Sequence, residues 1–259
     1  SDIAAPMVAA GGGHTVALKK DGTVWTWGNN GVGQLGDGTS VTKAYPVQVF
    51  AGEENDSSTG YLNNIIQISA GSNYVMALKK DGTVFTWGQN IYGQLGNGSS
   101  VNSMLPVQVK STDGNSFLTD VVQISAGYVH SMALKKDGTV WTWGNNTNGQ
   151  LGNNSTENSS SPVQVKSADG NRYLTNIIEI SAGSGHNMAL SKDGTVFTWG
   201  SNAYGQLGNG SSVNSILPVQ VKSADGNSFL TDIVQISAGY VHSMALKKDG
   251  TVLAWGRND

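Results

Sequence analysis

The chain has 259 residues, of which 35 are glycine, seven are tryptophan and none is cysteine. Its 15 basic and 18 acidic residues leave a formal net charge of −3. The lack of cysteine excludes disulfides, zinc–thiolate sites and cysteine nucleophiles. The slight acidic surplus argues against nucleic-acid binding, which draws on cationic charge, and no apolar run approaches the ~18 residues that cross a bilayer.

The first ten residues, SDIAAPMVAA, have neither the basic start nor the long apolar stretch of a signal peptide. From there the chain repeats itself. Asp-Gly-Thr-Val begins at residues 21, 81, 137, 193 and 249. Gly-Gln-Leu-Gly begins at 33, 93, 149 and 205, and Pro-Val-Gln-Val at 46, 106, 162 and 218. The result is four complete units and a fifth that stops midway, at approximately 3–50, 61–109, 117–165, 173–221 and 229–259. Fixed periods of this size mark solenoids, arrays and propellers.

The elements of one unit follow in order in the third copy. VVQISAG (121–127) is a β-branched run ending in glycine, so it reads as a first strand. HSMALKK (130–136) alternates, with Met132 and Leu134 on one side, and predicts a second. Asp137-Gly138 then predicts a type I′ hairpin turn. TVWTWG (139–144) is the third strand; Trp141 and Trp143 face one way, Val140 and Thr142 the other. Bulk on both faces predicts a sheet packed on both sides. Gly-Gln-Leu-Gly reads as a tight connection with glycines at positive φ and its leucine tucked beneath. PVQV (162–165) is a short fourth strand, with proline at its start as suits an edge. No ten-residue stretch has helical periodicity. Each unit is therefore a four-stranded antiparallel meander, and meanders with two apolar faces bury them by packing around an axis as a β-propeller. Trp27, Trp87, Trp143, Trp199 and Trp255 are the expected inter-blade core.

The residues AGYVHSMALKKDGTVWTWGNN, followed by GQLG and PVQV, resemble the regulator of chromosome condensation repeat. The matching features are the Ala-Gly ahead of the histidine, the Ala-Leu, the Asp-Gly-x-Val, the Trp-Gly, the Gly-Gln-Leu-Gly and the Pro-x-x-Val. They cover nearly the whole chain. The resemblance implies an all-β propeller, commonly of seven blades. It also implies a non-enzymatic binder, since such propellers include a chromatin-binding nucleotide-exchange factor and a bacterial inhibitor of β-lactamases. With about five repeats, the expected shape is a closed or nearly closed five-blade ring. The alternatives are an open arc, a fragment, or closure through a second molecule in a homo-oligomer.

Each candidate site in the sequence has a competing explanation in turn or core chemistry. Gly31-x-Gly33-x-x-Gly36 has the spacing of a nucleotide loop, but turn and strand follow it where a helix is needed. His14, His130, His186 and His242 recur at matching positions, with Tyr74 in their place in the second copy; no carboxylate adjoins them, so structural hydrogen bonding is expected and no metal. Asp113, Asn115 and Asp120 have oxygen-rich spacing, but Phe117 stands where a calcium loop needs an acid. The only acid pair is Glu53-Glu54, and no catalytic motif or cofactor site is present. The Lys-Lys-Asp-Gly hairpins predict a moderately basic face. The opposite face gathers the variable loops, and Tyr92, Tyr128, Tyr204, Tyr240 and Tyr74 are the candidate partner-binding residues. The expected function is a protein-binding scaffold, with carbohydrate binding or β-lactamase inhibition as alternatives. The low charge and Asn/Ser/Thr richness suggest a bacterial, secreted or cell-surface protein.

Overall fold

The computed structural model describes residues 3–53 and 60–258, which contain β-strands and turns and no helix. Blade one comprises β1 (Met7–Ala10), β2 (His14–Leu18), β3 (Val24–Gly28) and β4 (Lys43–Gln48). Blade two comprises β5 (Ile65–Ala70), β6 (Tyr74–Lys79), β7 (Val84–Gly88) and β8 (Ser103–Gln108). Blade three comprises β9 (Val121–Ala126), β10 (His130–Lys135), β11 (Val140–Gly144) and β12 (Ser159–Gln164). Blade four comprises β13 (Ile177–Ala182), β14 (His186–Ser191), β15 (Val196–Gly200) and β16 (Ser215–Gln220). Blade five has β17 (Ile233–Ala238), β18 (His242–Lys247) and β19 (Val252–Gly256). Every sheet is an antiparallel meander whose strands pair in chain order.

Two local expectations are corrected. The fourth strand begins earlier than its Pro-Val-Gln-Val: β12 starts at Ser159, and Pro162 is its fourth residue. Proline is tolerated there because this strand is the outer edge, where an N–H is not needed. The hairpin turn is not type I′. Only the glycine, Gly138 at φ +79°, is left-handed, and Gly138 N–H donates to Lys135 O at 2.9 Å. This is a type I turn closed by a left-handed glycine. Asp137 Oδ1 accepts Thr139 N–H at 3.0 Å, an arrangement that aspartate reaches without positive φ.

The blades stack through apolar clusters. Val16, Leu18 and Val24 of blade one meet Val75, Ala77, Phe85 and Trp87 of blade two, and the same pattern recurs at the next three interfaces. The axial first strands are stapled by polar side chains. Gln67 donates to Ile124 O at 3.1 Å and accepts Ile124 N–H at 3.0 Å, and Ser69 Oγ accepts Ala126 N–H at 2.9 Å. Gln123 and Ser125 do the same to blade four. At the next interface Glu179 replaces the glutamine and accepts a single bond, from Ile236 N–H at 3.4 Å.

The tryptophans mark the Gly-Gln-Leu-Gly loops of the preceding blades. Trp87, Trp143, Trp199 and Trp255 donate Nε1–H to the carbonyls of Gln34, Gln94, Gln150 and Gln206 at 2.9–3.0 Å. Gly96 lies against Trp143 so closely that an added Cβ would sit 2.7 Å from Nε1. Trp87, Trp143 and Trp199 are fully buried, whereas Trp27 and Trp255 are half-buried.

The ends of the stack correct the expectation of a closed ring. Met244 and Val252 of blade five are 38 % and 58 % exposed, whereas Met188 and Val196 are 0 % and 1 %. Leu246 is half-buried where Leu190 is fully covered. Among the described residues, no bond to Trp27 Nε1 corresponds to those of the other four indoles. The five blades form an open arc.

Candidate recognition face

The connections between first and second strands, and between third and fourth, lie on one face of the arc. The first set carries the Ala-Gly turns. Ala10, Gly11, Ala70, Gly71, Ala126 and Gly127, with their counterparts in blades four and five, line an axial funnel of about 480 Å³. Backbone bonds knit its rim: Gly12 N–H to Ser72 O at 2.8 Å, Ser72 N–H to Tyr128 O at 3.1 Å, and Ser184 N–H to Tyr240 O at 3.2 Å.

Tyr128 and Tyr240 rise from this rim, 47 % and 63 % exposed, with their rings edge to face at 6.0 Å. Tyr204 is half-exposed on the outer loop set, under the Arg257 guanidinium at 5.0 Å. Tyr92 occupies the matching loop of blade two but is half-buried. Tyr74 does not belong to this surface. It is fully buried, its hydroxyl donates to His130 O and accepts from Ser131 Oγ at 3.1 Å, and burial pushes its phenol well above the usual range. The fold thus brings Tyr128 and Tyr240 together, places Tyr204 and Tyr92 on the outer loops, and buries Tyr74.

Charge is nearly absent from this face. Among the described residues, its connections carry only Asp37, Glu157 and Arg257 as charged groups, and Asp37 is buried against Lys43 at 3.7 Å. The other face holds the Lys-Lys-Asp-Gly hairpins and the loops between blades. There Lys19 and Lys135 lie over Trp25 and Trp141, and Asp113 closes a turn by accepting bonds from Ser111 Oγ and Asn115 N–H. The Asp113 carboxyl is held below its usual range by the Ser111 hydroxyl, which is turn chemistry. Glu54 lies outside the described residues.

His14, His130 and His186 are built into the interior, whereas His242 in the last blade is exposed. His130 Nε2 meets Asn187 Oδ1 at 2.7 Å, and His186 Nε2 meets Ser243 Oγ at 2.9 Å. Burial lowers His130 to about 4, with the Asn187 bond pulling back. Burial and the neighbouring His130 and His242 lower His186 to about 4. His14 is also lowered to about 4 by burial, opposed by the nearby Tyr74 backbone. Neither His14 ring nitrogen makes a hydrogen bond, because blade two offers Val75 where the next blades offer serine or asparagine. Among the described residues, no three His, Cys, Asp or Glu side chains are grouped to hold a metal ion.

Sequence reasoning missed the residues that shape the outer loops. Asn90 Nδ2 donates to Ser99 O and Val101 O at 3.0 Å each, while its Oδ1 accepts Leu95 N–H at 2.9 Å. Asn30, Asn146 and Asn202 repeat this pattern. The signal was in the sequence, since each is the second residue after a Trp-Gly and stays asparagine while its neighbour varies.

Radially stacked meanders, axial His-bearing turns and indoles seated on Gly-Gln-Leu-Gly loops define a β-propeller of the regulator-of-chromosome-condensation type. The chain belongs to the RCC1-like domain family, whose model matches residues 2–259. It is 32 % identical to the ultraviolet-B receptor UVR8 of Arabidopsis thaliana over 253 residues, covering 97 % of this chain and 52 % of the receptor. Human WBSCR16 superposes with a TM-score of 0.80 at 25 % identity, over 97 % of this chain and 62 % of that one. Prp20p of Saccharomyces cerevisiae shares the fold, with a TM-score of 0.63 at 22 % identity over 96 % of this chain and 71 % of its own. The chain spans about half the length of the plant receptor.

Proposed function

We propose that the chain is a non-enzymatic scaffold that binds a protein partner through its uncharged Tyr/Asn face. The observation that carries this reading is the pairing of exposed aromatics with an almost charge-free surface: Tyr128 and Tyr240 stand on axial turns knit by backbone bonds, and Tyr204 stands on a loop fixed by the buried Asn202. Rigid amphipathic rings give large contact area at low entropic cost. The fold supports this by analogy, because Prp20p is described by its binding to Gsp1p and histones. The bacterial, extracellular setting rests on composition alone, and the relatives named above are from a plant, human and yeast.

Carbohydrate binding is the second reading, favoured by the edge-to-face Tyr128–Tyr240 pair beside an apolar funnel. Affinity capture and a glycan array separate the two. Protein binding predicts capture of one protein, lost in the Tyr128→Ala/Tyr240→Ala variant and retained in Lys136→Glu on the opposite face. Array binding abolished by the same tyrosine pair, with no protein captured, would replace the first reading by the second.

A further inference from the structure

The hairpin face holds a second recess, of about 350 Å³, where the turn that follows β8 meets β10 and β11 of the next blade. Its apolar lining is aromatic: Phe117, 47 % exposed, comes from the turn, and the half-buried Trp141 from β11. Its charged groups are Asp113 and Lys135, one of each sign. The bonds that Asp113 accepts from Ser111 Oγ and from Asn115 N–H both end on Oδ1, so Oδ2 is left for a ligand. Lys135 Nζ lies 5.8 Å from the Trp141 ring centroid, at the loose end of the cation–π range.

These groups are held in place before any ligand arrives. Within the turn, Ser111 N–H donates to Ser116 O at 2.9 Å and Gly114 N–H to Ser111 O at 3.0 Å. Thr112 Oγ1 pins the turn to blade three by donating to Pro162 O at 2.9 Å. Trp141 Nε1 donates to Thr139 Oγ1 at 3.0 Å, which engages the polar edge of the indole and leaves its ring face for contact. The duplicated part of the chain makes this recess stand out. Residues 101–146 and 213–258 differ at six positions, and two of the six line it: Ala224 replaces Thr112 and Leu253 replaces Trp141.

The lining selects a ligand by exclusion. An anion meets Asp113 and a cation meets Lys135. A wholly apolar molecule would strip water from both charges and return no hydrogen bond. A neutral polyol with one C–H face meets every group: the face stacks on the indole, and its hydroxyls donate to the carboxylate and accept from the ammonium. The volume suits a small ligand held by few polar groups, and the fixed turn lowers the cost of ordering it.

We propose that this recess is a saccharide site, which takes a neutral pyranose unit of a glycan against Trp141 and Phe117 and holds its hydroxyls with Asp113 and Lys135. It lies on the face opposite Tyr128 and Tyr240 and does not depend on the function proposed for them.

The test screens the full chain on an array of neutral glycans and titrates the strongest hit by calorimetry. The expected result is millimolar or tighter binding, weakened at least about tenfold by Trp141→Leu and by Asp113→Asn and unchanged by Tyr128→Ala/Tyr240→Ala. Both recess variants are mild, because Leu253 already stands at the tryptophan position in blade five and asparagine keeps an Oδ1 acceptor for the turn. An array without a hit overturns the proposal. So does binding that survives both recess variants, or binding that only the tyrosine pair abolishes. Loss of a captured protein in Trp141→Leu, with no glycan bound, would give the recess to a protein partner and overturn it as well.

Discussion

The five equivalent tryptophans allow one substitution to be read in five settings within a single molecule. Trp143 is fully buried between blades two and three and donates to Gln94 O at 2.9 Å. An indole that covers roughly 200 Å² at about 25 cal/mol/Å² represents about 5 kcal/mol of transfer free energy as an upper bound. Large-to-alanine core substitutions cost about 3–5 kcal/mol when cavity relaxation is included. The lost hydrogen bond adds little, because Gln94 O also accepts from Ser131 Oγ at 2.8 Å and is not left unpaired. Trp143→Ala is therefore expected to cost about 3–5 kcal/mol, with Trp87→Ala and Trp199→Ala similar. Trp255 keeps its bond to Gln206 but is half-buried, so Trp255→Ala should fall below these three. Trp27 is half-buried without a corresponding bond, so Trp27→Ala should cost least, about 1–2 kcal/mol. Urea melts of the five variants, compared at a common slope, read the order directly. A Trp27→Ala cost equal to that of Trp143→Ala would mean that a blade covers Trp27, and the open arc would be wrong. A Trp143→Ala cost below about 1 kcal/mol would remove the inter-blade placement altogether.

Acid should weaken the fold in two stages. His14, His130 and His186 sit at about 4 in the folded chain against 6.5 when exposed, so above pH 6.5 they are neutral in both states and contribute no pH dependence. As pH falls from 6.5 towards 4 the unfolded chain takes up protons that the folded chain refuses, and stability drops; His130→Gln should flatten that limb in urea melts taken across this range. Below it, protonation of turn aspartates held under their usual range, such as Asp137 by Thr139, should cost further stability. Gly96→Ala combines a φ of +69° with a Cβ 2.7 Å from Trp143 Nε1, whereas Gly114→Ala has a φ of +71° and open space. The second should cost about 1–2 kcal/mol and the first distinctly more by the same melts, and equal costs would show that the loop does not cradle the indole. Glu179→Gln should raise the melting temperature at pH 7, because burial raises the Glu179 pKa and an amide restores the two-bond staple that Gln67 makes; an unchanged melt would refute the staple. Asn90→Ala should cost about 1–3 kcal/mol by leaving Leu95 N–H and the Ser99 and Val101 carbonyls unpaired, with extra amide exchange confined to residues 89–102.

Much of this architecture was legible because repetition multiplies a weak signal. A single Val-Trp-Thr-Trp-Gly run cannot distinguish a strand from a buried helical turn, but its recurrence beside Asp-Gly-Thr-Val fixes a meander and places an indole at each interface. The hairpin type was misread because Asp-Gly favours I′ turns only where the register leaves two residues between strands. Here Asp137 bonds Thr139, and the turn takes one residue more. The tyrosines divided for a reason that spacing cannot show. Tyr128 and Tyr240 precede the axial position, whereas Tyr74 occupies it, where the other copies place histidine and where the next blade covers the ring. Closure was misjudged for a related reason. Counting units says how many blades exist, but the angle between neighbours is set by side chains that each interface buries. Four interfaces repeat the same Val/Leu/Met and Ala/Trp contacts, and with five blades in place they leave Trp27 half-buried and Val252 58 % exposed.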